Sequence, residues 1–277
     1  MDKRRHAFRP DLADERLRGT VEASQFVSGT KVQFTAPCTS VLREAQSDSM
    51  QMTQALMGET ALVFENLNGW AWVQLDQDQY VGYVRAESLG AVIHPTTHTV
   101  NVASTLLYPQ PDLKSQPTQL LPMNAKLNVA FEHGQFSEVT TGGFVFAKHL
   151  TATLQKKDYV SIAETFLNVT YLWGGKTQQG LDCSGLVQTA LQAAGISCPR
   201  DTDMQEKELG IELLINDLDG LKRGDLVFWE GHVGIMLDQS LLLHANGFHM
   251  QTVIEPLKLA ATRISDSQKP ITSLKRL

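Results

Sequence analysis

Cys183 lies in Gly-Leu-Asp-Cys-Ser-Gly-Leu-Val-Gln (180–188), with an aspartate before the sulfur and a serine and a glycine after it. Asp182 reads as the N-cap of a helix and Cys183 as part of its first turn. The partial positive charge at a helix N-terminus favours a thiolate, which predicts a lowered thiol pKa and a nucleophilic sulfur at neutral pH. Taken alone, a cysteine is more often a small buried hydrophobe, and a nucleophile also needs a base. His232 in Gly-His-Val-Gly-Ile and His244 in Leu-Leu-Leu-His-Ala are the candidates. If their segments are strands joined by a turn centred on Gln239, His232 lies opposite Asn246, with His244 a diagonal neighbour on the same face. One ring could then take the cysteine proton while the other orients it. A one-residue slip would send the two rings to opposite faces. A metal site built from the same three side chains fits less well, because zinc draws on closer ligand pairs such as C-x-x-C. Cysteine–histidine chemistry needs no cofactor.

The elements that must hold these groups are legible in outline. Residues 186–194 place Leu186, Val187, Ala190, Leu191 and Ala194 at helical spacing, with Gly195 suited to the position after the last turn. An earlier helix is expected from Val160, Ala163, Phe166 and Leu167. Gly-Asp-Leu-Val-Phe-Trp, His-Val-Gly-Ile-Met-Leu and Ser-Leu-Leu-Leu-His-Ala read as strands, so the segment from 155 is an α+β domain. Asp225 reads as a turn cap before a strand rather than a site residue.

Upstream the chain changes character. Short β-rich pieces between 31 and 92 surround Asn68-Gly69, a hairpin signal. A degraded echo follows at 98–152, where Gly134 stands for Gly69 and Gly143 for Gly82, four residues closer together. Two tandem small β-barrels are expected. Trp70, Trp72, Tyr80 and Tyr83 cluster in the first copy and divide between barrel core and exposed tip. Residues 1–30 read as a polar leader ending in a segment that packs against a later domain.

Composition bounds the rest. The chain has 277 residues, 42% hydrophobic and 19% charged, and a formal net charge of -6, which argues against a nucleic-acid partner. No stretch approaches a membrane span, and no apolar run follows the first basic residues. Three unevenly spaced cysteines, Cys38, Cys183 and Cys198, suggest a reducing compartment. The expectation is a cytoplasmic protein without membrane partner, taken as a monomer.

Tyr171-Leu-Trp-Gly-Gly, Leu-Asp182-Cys183-Ser184-Gly185, Arg200-Asp201-Thr-Asp-Met-Gln205, Gly224-Asp225-Leu-Val-Phe-Trp, Gly231-His232-Val-Gly-Ile and Leu-His244-Ala together resemble the NlpC-type cysteine peptidases. The upstream pair resembles the bacterial SH3-like domains often fused to that family. The resemblance implies a papain-like peptidase domain over 155–277, preceded by SH3-like barrels at 31–92 and 98–152 and the leader at 1–30. It implies Cys183 as nucleophile, His232 as base, His244 as the orienting residue and Tyr171 flanking the sulfur.

Members with SH3-like domains often cut the bond between γ-D-glutamyl and a diamino acid, and a subset requires a free N-terminal L-alanine. Asp182 and Ser184, which flank the nucleophile, are candidate acceptors for that ammonium; by the resemblance Asp201 would hold it and Arg200 could meet the D-glutamyl α-carboxylate. Tyr80 and Glu44 would come from the first barrel. Arg200-Asp201 could equally be a local ion pair, and Glu44 and Tyr80 a solvated surface pair. The favoured expectation is a dipeptidyl-peptidase releasing L-Ala-γ-D-Glu from free murein peptides during cell-wall recycling. An acyltransferase or amidase on the same core and a wall-fragment binding protein remain as alternatives.

Overall fold

The computed structural model describes residues 1–152, 158–214, 218, 220–266 and 270–277. The chain divides into two compact units, Met1–Thr153 and Leu154–Leu277. Position 155, where the sequence reading starts the peptidase domain, lies outside the described residues.

The first unit holds two barrels. In the first, seven antiparallel strands run in the order Gln51–Leu56, Cys38–Leu42, Val81–Arg85, Trp70–Leu75, Thr60–Leu67, Thr30–Phe34, Leu89–Gly90. Asn68 and Gly69 both take positive φ (53° and 79°), the type I′ geometry whose twist matches the flanking strands. The second barrel repeats the plan in shortened form. Its hairpin Val129–His133/Phe136–Val139 turns at Gly134 (φ 65°). Both hairpins lead to a further strand, then a single 3-10 turn (Ala86–Ser88 and Ala147–His149) and a two-residue closing strand. Each barrel has its own core, around Val73 in the first and Val145 in the second.

The leader packs on the first barrel. Leu12–Asp14 pairs in parallel with Gln25–Val27, and Ala7 and Leu12 close over Phe64 and Trp72. The Arg9 guanidinium stacks 4.4 Å above Trp72 while binding Glu65 and the Tyr83 hydroxyl. Tyr80 corrects an expectation. It is 1% exposed, inside the barrel core with Phe34, Val41 and Leu75, so its hydroxyl is closed to any ligand. The chain turns at Gln79 (φ 64°), and the Tyr80 backbone is pinned by Asp78 and by Leu75.

The second unit is built on one antiparallel sheet. Its strands are β1 (Ile211–Glu212), β2 (Leu226–Trp229), β3 (His232–Met236), β4 (Leu241–Asn246), β5 (Gln251–Pro256) and β6 (Ile271–Arg276), ordered β1-β6-β2-β3-β4-β5. Helices α1 (Tyr159–Glu164), α2 (Cys183–Ala193), α3 (Thr202–Glu208) and α4 (Leu257–Ser265) complete it, and α2 packs on β3 and β4. Residues 183–192 of α2 are all buried, as in a helix enclosed on every side. Gly195 follows its C-cap with φ 79°, the left-handed stop the sequence suggests. Between β3 and β4, Asp238 accepts the N–H groups of Ser240 and Leu241, forming the turn. Asp225 is buried and holds the Lys222 N–H and Arg276, a structural role. Among the described residues no helix is long and apolar enough to cross a membrane.

Candidate active site

The start of α2 is fixed by the residue before the sulfur. Asp182 has extended backbone angles and one oxygen accepts from the Gly185 N–H (2.7 Å), an N-cap. Its other oxygen accepts the Gly174 N–H (2.7 Å), tying the Trp-Gly-Gly turn to the helix. Close packing of turn on helix demands glycine: a Cβ on Gly185 would lie 2.1 Å from the Gly175 carbonyl oxygen. Cys183, 5% exposed, is thereby held against β3, with the N–H groups of Val233 and Ser184 directed at its sulfur.

In β3 and β4, Ile235 pairs with Leu243 and Met236 with Leu242, the register that a turn centred on residue 239 requires. His232 and His244 share a face. Nε2 of His232 lies 2.8 Å from Nδ1 of His244, and the buried Trp229 ring packs 5.5 Å from His232. Tyr171 is placed by backbone pairing, its N–H donating to the Met250 carbonyl (2.9 Å). Its phenol is pushed up by burial and then by the charge of Cys183.

The proton positions run against the lowered thiol pKa expected from the helix terminus. Burial, reinforced by the Asp182 charge, pushes the Cys183 thiol up to about 11, outweighing the two N–H donors. Burial, then the His244 ring, drive His232 down to about 3, and burial also lowers His244. The resting site therefore holds a neutral thiol and neutral imidazoles.

Three further expectations change. Arg200 is 1% exposed and its fork is spent inside the protein, on both Asp182 oxygens (3.0 and 2.8 Å), Ser184 Oγ (2.7 Å) and the Gly175 carbonyl. It is the local ion pair of the sequence reading, with Asp182 as partner instead of Asp201, and is closed to a substrate carboxylate. Asp182 and Ser184 are buried and saturated by the same network, so they shape the loop and offer no acceptor to an ammonium. Asp201 stands at the N-cap of α3, half-buried, and makes no side-chain cap bond. Glu44 is exposed on the first barrel beside Arg43.

Glu255 is a site neighbour that the sequence reading missed. Its Oε1 lies 2.7 Å from Nε2 of His244, and Arg263 of α4 grips both its oxygens (2.8 and 2.6 Å). Leu242 is its cross-strand partner, which makes His244 its diagonal neighbour. Arg263 holds its carboxyl down at about 2.

The model of the NlpC/P60 family matches residues 168–264, which span the Tyr171 loop, α2 and β2 to β5. A gamma-D-glutamyl-L-lysine dipeptidyl-peptidase of Bacillus subtilis (strain 168) is 30% identical over 223 residues, covering 72% of this chain and 73% of its own. The chain belongs to the NlpC/P60 family. It is a cysteine peptidase of that family, whose relatives' activity is that of peptidoglycan peptidases. This NlpC/P60 peptidase also matches the bacterial dipeptidyl-peptidase Sh3 domain at residues 41–89, within the first barrel. A second gamma-D-glutamyl-L-lysine dipeptidyl-peptidase, from Bacillus cereus (strain ATCC 10987 / NRS 248), is 24% identical over 237 residues, 74% of this chain and 70% of that one. A crystal structure of an NlpC/P60 family protein from Bacillus cereus ATCC 10987 shares the fold. Its TM-score is 0.74 at 18% identity, over 89% of this chain and 99% of that one.

Proposed function

We propose that this NlpC/P60 peptidase hydrolyses the bond between γ-D-glutamate and the following diamino acid in free murein stem peptides, releasing L-Ala-γ-D-Glu. The observation that carries the reading is the pair of hydrogen-bonded histidines (2.8 Å) on the strands against which the helix-start cysteine packs. In this reading Cys183 is the nucleophile, His232 the base through Nδ1, and His244 the residue that orients it. With thiol and imidazole both neutral, the proton passes from Sγ to Nδ1 as the sulfur attacks the γ-carbonyl carbon. The tetrahedral oxyanion takes backbone N–H donation at Cys183. The C–N bond then breaks, the leaving amine takes the proton from His232, and a thioester remains. Water, deprotonated by the same ring, attacks the thioester and restores the thiol.

Asp201 is the acid we assign to the free L-alanine ammonium, from its half-buried place in the loop that leads from Arg200 into α3 and from the resemblance to the family. The two relatives named for γ-D-glutamyl-L-lysine dipeptidyl-peptidase activity support the bond and the exopeptidase action. Released peptides as substrate go with a cytoplasmic recycling role, since the intact wall lies outside the membrane.

A mass-spectrometric digest of L-Ala-γ-D-Glu-L-Lys beside its N-acetylated form, with Cys183→Ala as control, tests this. Release of L-Ala-γ-D-Glu from the free peptide alone is expected. Equal cutting of both forms would remove the ammonium pocket, and no cutting of either would remove the substrate assignment.

A further inference from the structure

The histidine pair does not end at His244. Two groups converge on its Nε2, and they demand opposite proton positions. Glu255 Oε1 stands 2.7 Å away and Asn246 Nδ2 3.1 Å away. A carboxylate only accepts, so pairing with Glu255 requires a proton on Nε2. An amide nitrogen only donates, so pairing with Asn246 requires a lone pair there. The amide cannot swap its ends, because Asn246 Oδ1 already accepts the His249 N–H at 2.9 Å.

Arg263 decides the contest. Its fork binds both Glu255 oxygens, and its guanidinium is braced over the Phe248 ring at 4.5 Å. The carboxylate is therefore kept charged and aimed. With the proton on Nε2, Nδ1 of His244 is an acceptor, so Nε2 of His232 must donate across the 2.8 Å contact. The only lone pair left on His232 is then at Nδ1, the nitrogen not engaged by His244.

We propose that Glu255, held by Arg263, is a positioning residue that sets the tautomers of both histidines and so leaves His232 able to act as a base at Nδ1. This rests on the catalytic reading of Cys183 and His232 given above. Glu255 acts through His244 and touches no reacting atom. Were Asn246 to win, every proton in the chain would reverse, and Nδ1 of His232 would already carry a hydrogen.

The test is Glu255→Gln, read by two measurements on the full chain. Side-chain ¹⁵N NMR of histidine-labelled protein distinguishes protonated from unprotonated ring nitrogens. Wild type should show Nε2–H on both rings, and Glu255→Gln a mixture or the reverse. On L-Ala-γ-D-Glu-L-Lys the variant should lose kcat by roughly 10- to 100-fold, the usual cost of an outer-shell partner, with KM held. Adding Asn246→Ala to Glu255→Gln removes the competing donor and should recover part of the kcat. A tautomer pattern unchanged in Glu255→Gln overturns the proposal, whatever the rate does, and so does an unchanged kcat. If wild type fails to cut the peptide, the catalytic reading falls, while the ¹⁵N pattern still judges the tautomer assignment.

Discussion

At the scale of the residue, the Cys183 thiol, to which we assign the attack, is held back from ionising. A helix N-terminus alone argues for an easily formed thiolate, whereas the enclosed sulfur beside Asp182 titrates near 11. Which effect dominates depends on burial, which a motif does not encode. The two give different alkylation profiles. Peptide-resolved iodoacetamide labelling should show Cys183 reacting faster at each step as pH rises towards about 11, with no plateau below neutrality. A rate already level below pH 7 would mean that the thiolate pre-exists. The placement of the cysteine and both histidines was readable, because Cys183 and His232 stand at the first residues of α2 and β3 and the short turn fixes the register that sets His244, inside β4, on the face of His232. Glu255 was not, because a lone acid in Gln-Thr-Val-Ile-Glu-Pro has no spacing signal of its own. Only the pairing of Leu242 with Glu255 makes it a diagonal neighbour of His244. Arg200 shows the opposite error, a charged residue in a loop motif that suggests a ligand contact but is fully engaged inside the fold.

At the scale of the element, the start of α2 is the precision part. Turn, cap and helix meet through Gly174, Gly175, Asp182 and Gly185, and the approach is too close for any side chain at 185. Gly185→Ala puts a methyl into the Gly175 carbonyl, at the start of the short hairpin Lys176–Thr177/Gly180–Leu181. It should cost about 1–3 kcal/mol, read as a lower urea midpoint. It should also depress kcat, because relief of the clash must shift Cys183. An unchanged midpoint would show that the turn yields freely. The helix itself was fully legible, from its apolar spacing to Gly195. The strand register was legible too, because a short turn leaves few alternatives. The contact between glycine turn and helix was not, since nothing in the local sequence says what a small residue makes room for.

At the scale of the whole molecule, the cores are closed locally. Those around Val73 and Val145 lie within the first unit and that around Trp229 within the second. A fragment of residues 158–277 should therefore unfold in one cooperative urea transition and keep the Cys183 labelling profile of the full chain. A fragment that stays unfolded would show that its core is not self-sufficient. The tandem barrels were visible in advance as an internal repeat, but the seating of the leader over Trp72 was not, because its apolar contacts are few and widely spaced. One feature of the second unit concerns time rather than shape. The strand latest in sequence, β6, does not lie at the sheet's rim but is inserted between β1 and β2. During synthesis at roughly 5–20 residues per second, β2 to β5 leave the ribosome well before β6 can pair with β2. Until then Leu226–Trp229 presents an open, wholly apolar edge. Cys183, His232 and His244 are all made before the strand that closes their sheet, so a nascent or truncated chain carries these side chains on an unfinished scaffold, and its hazard is aggregation along that edge.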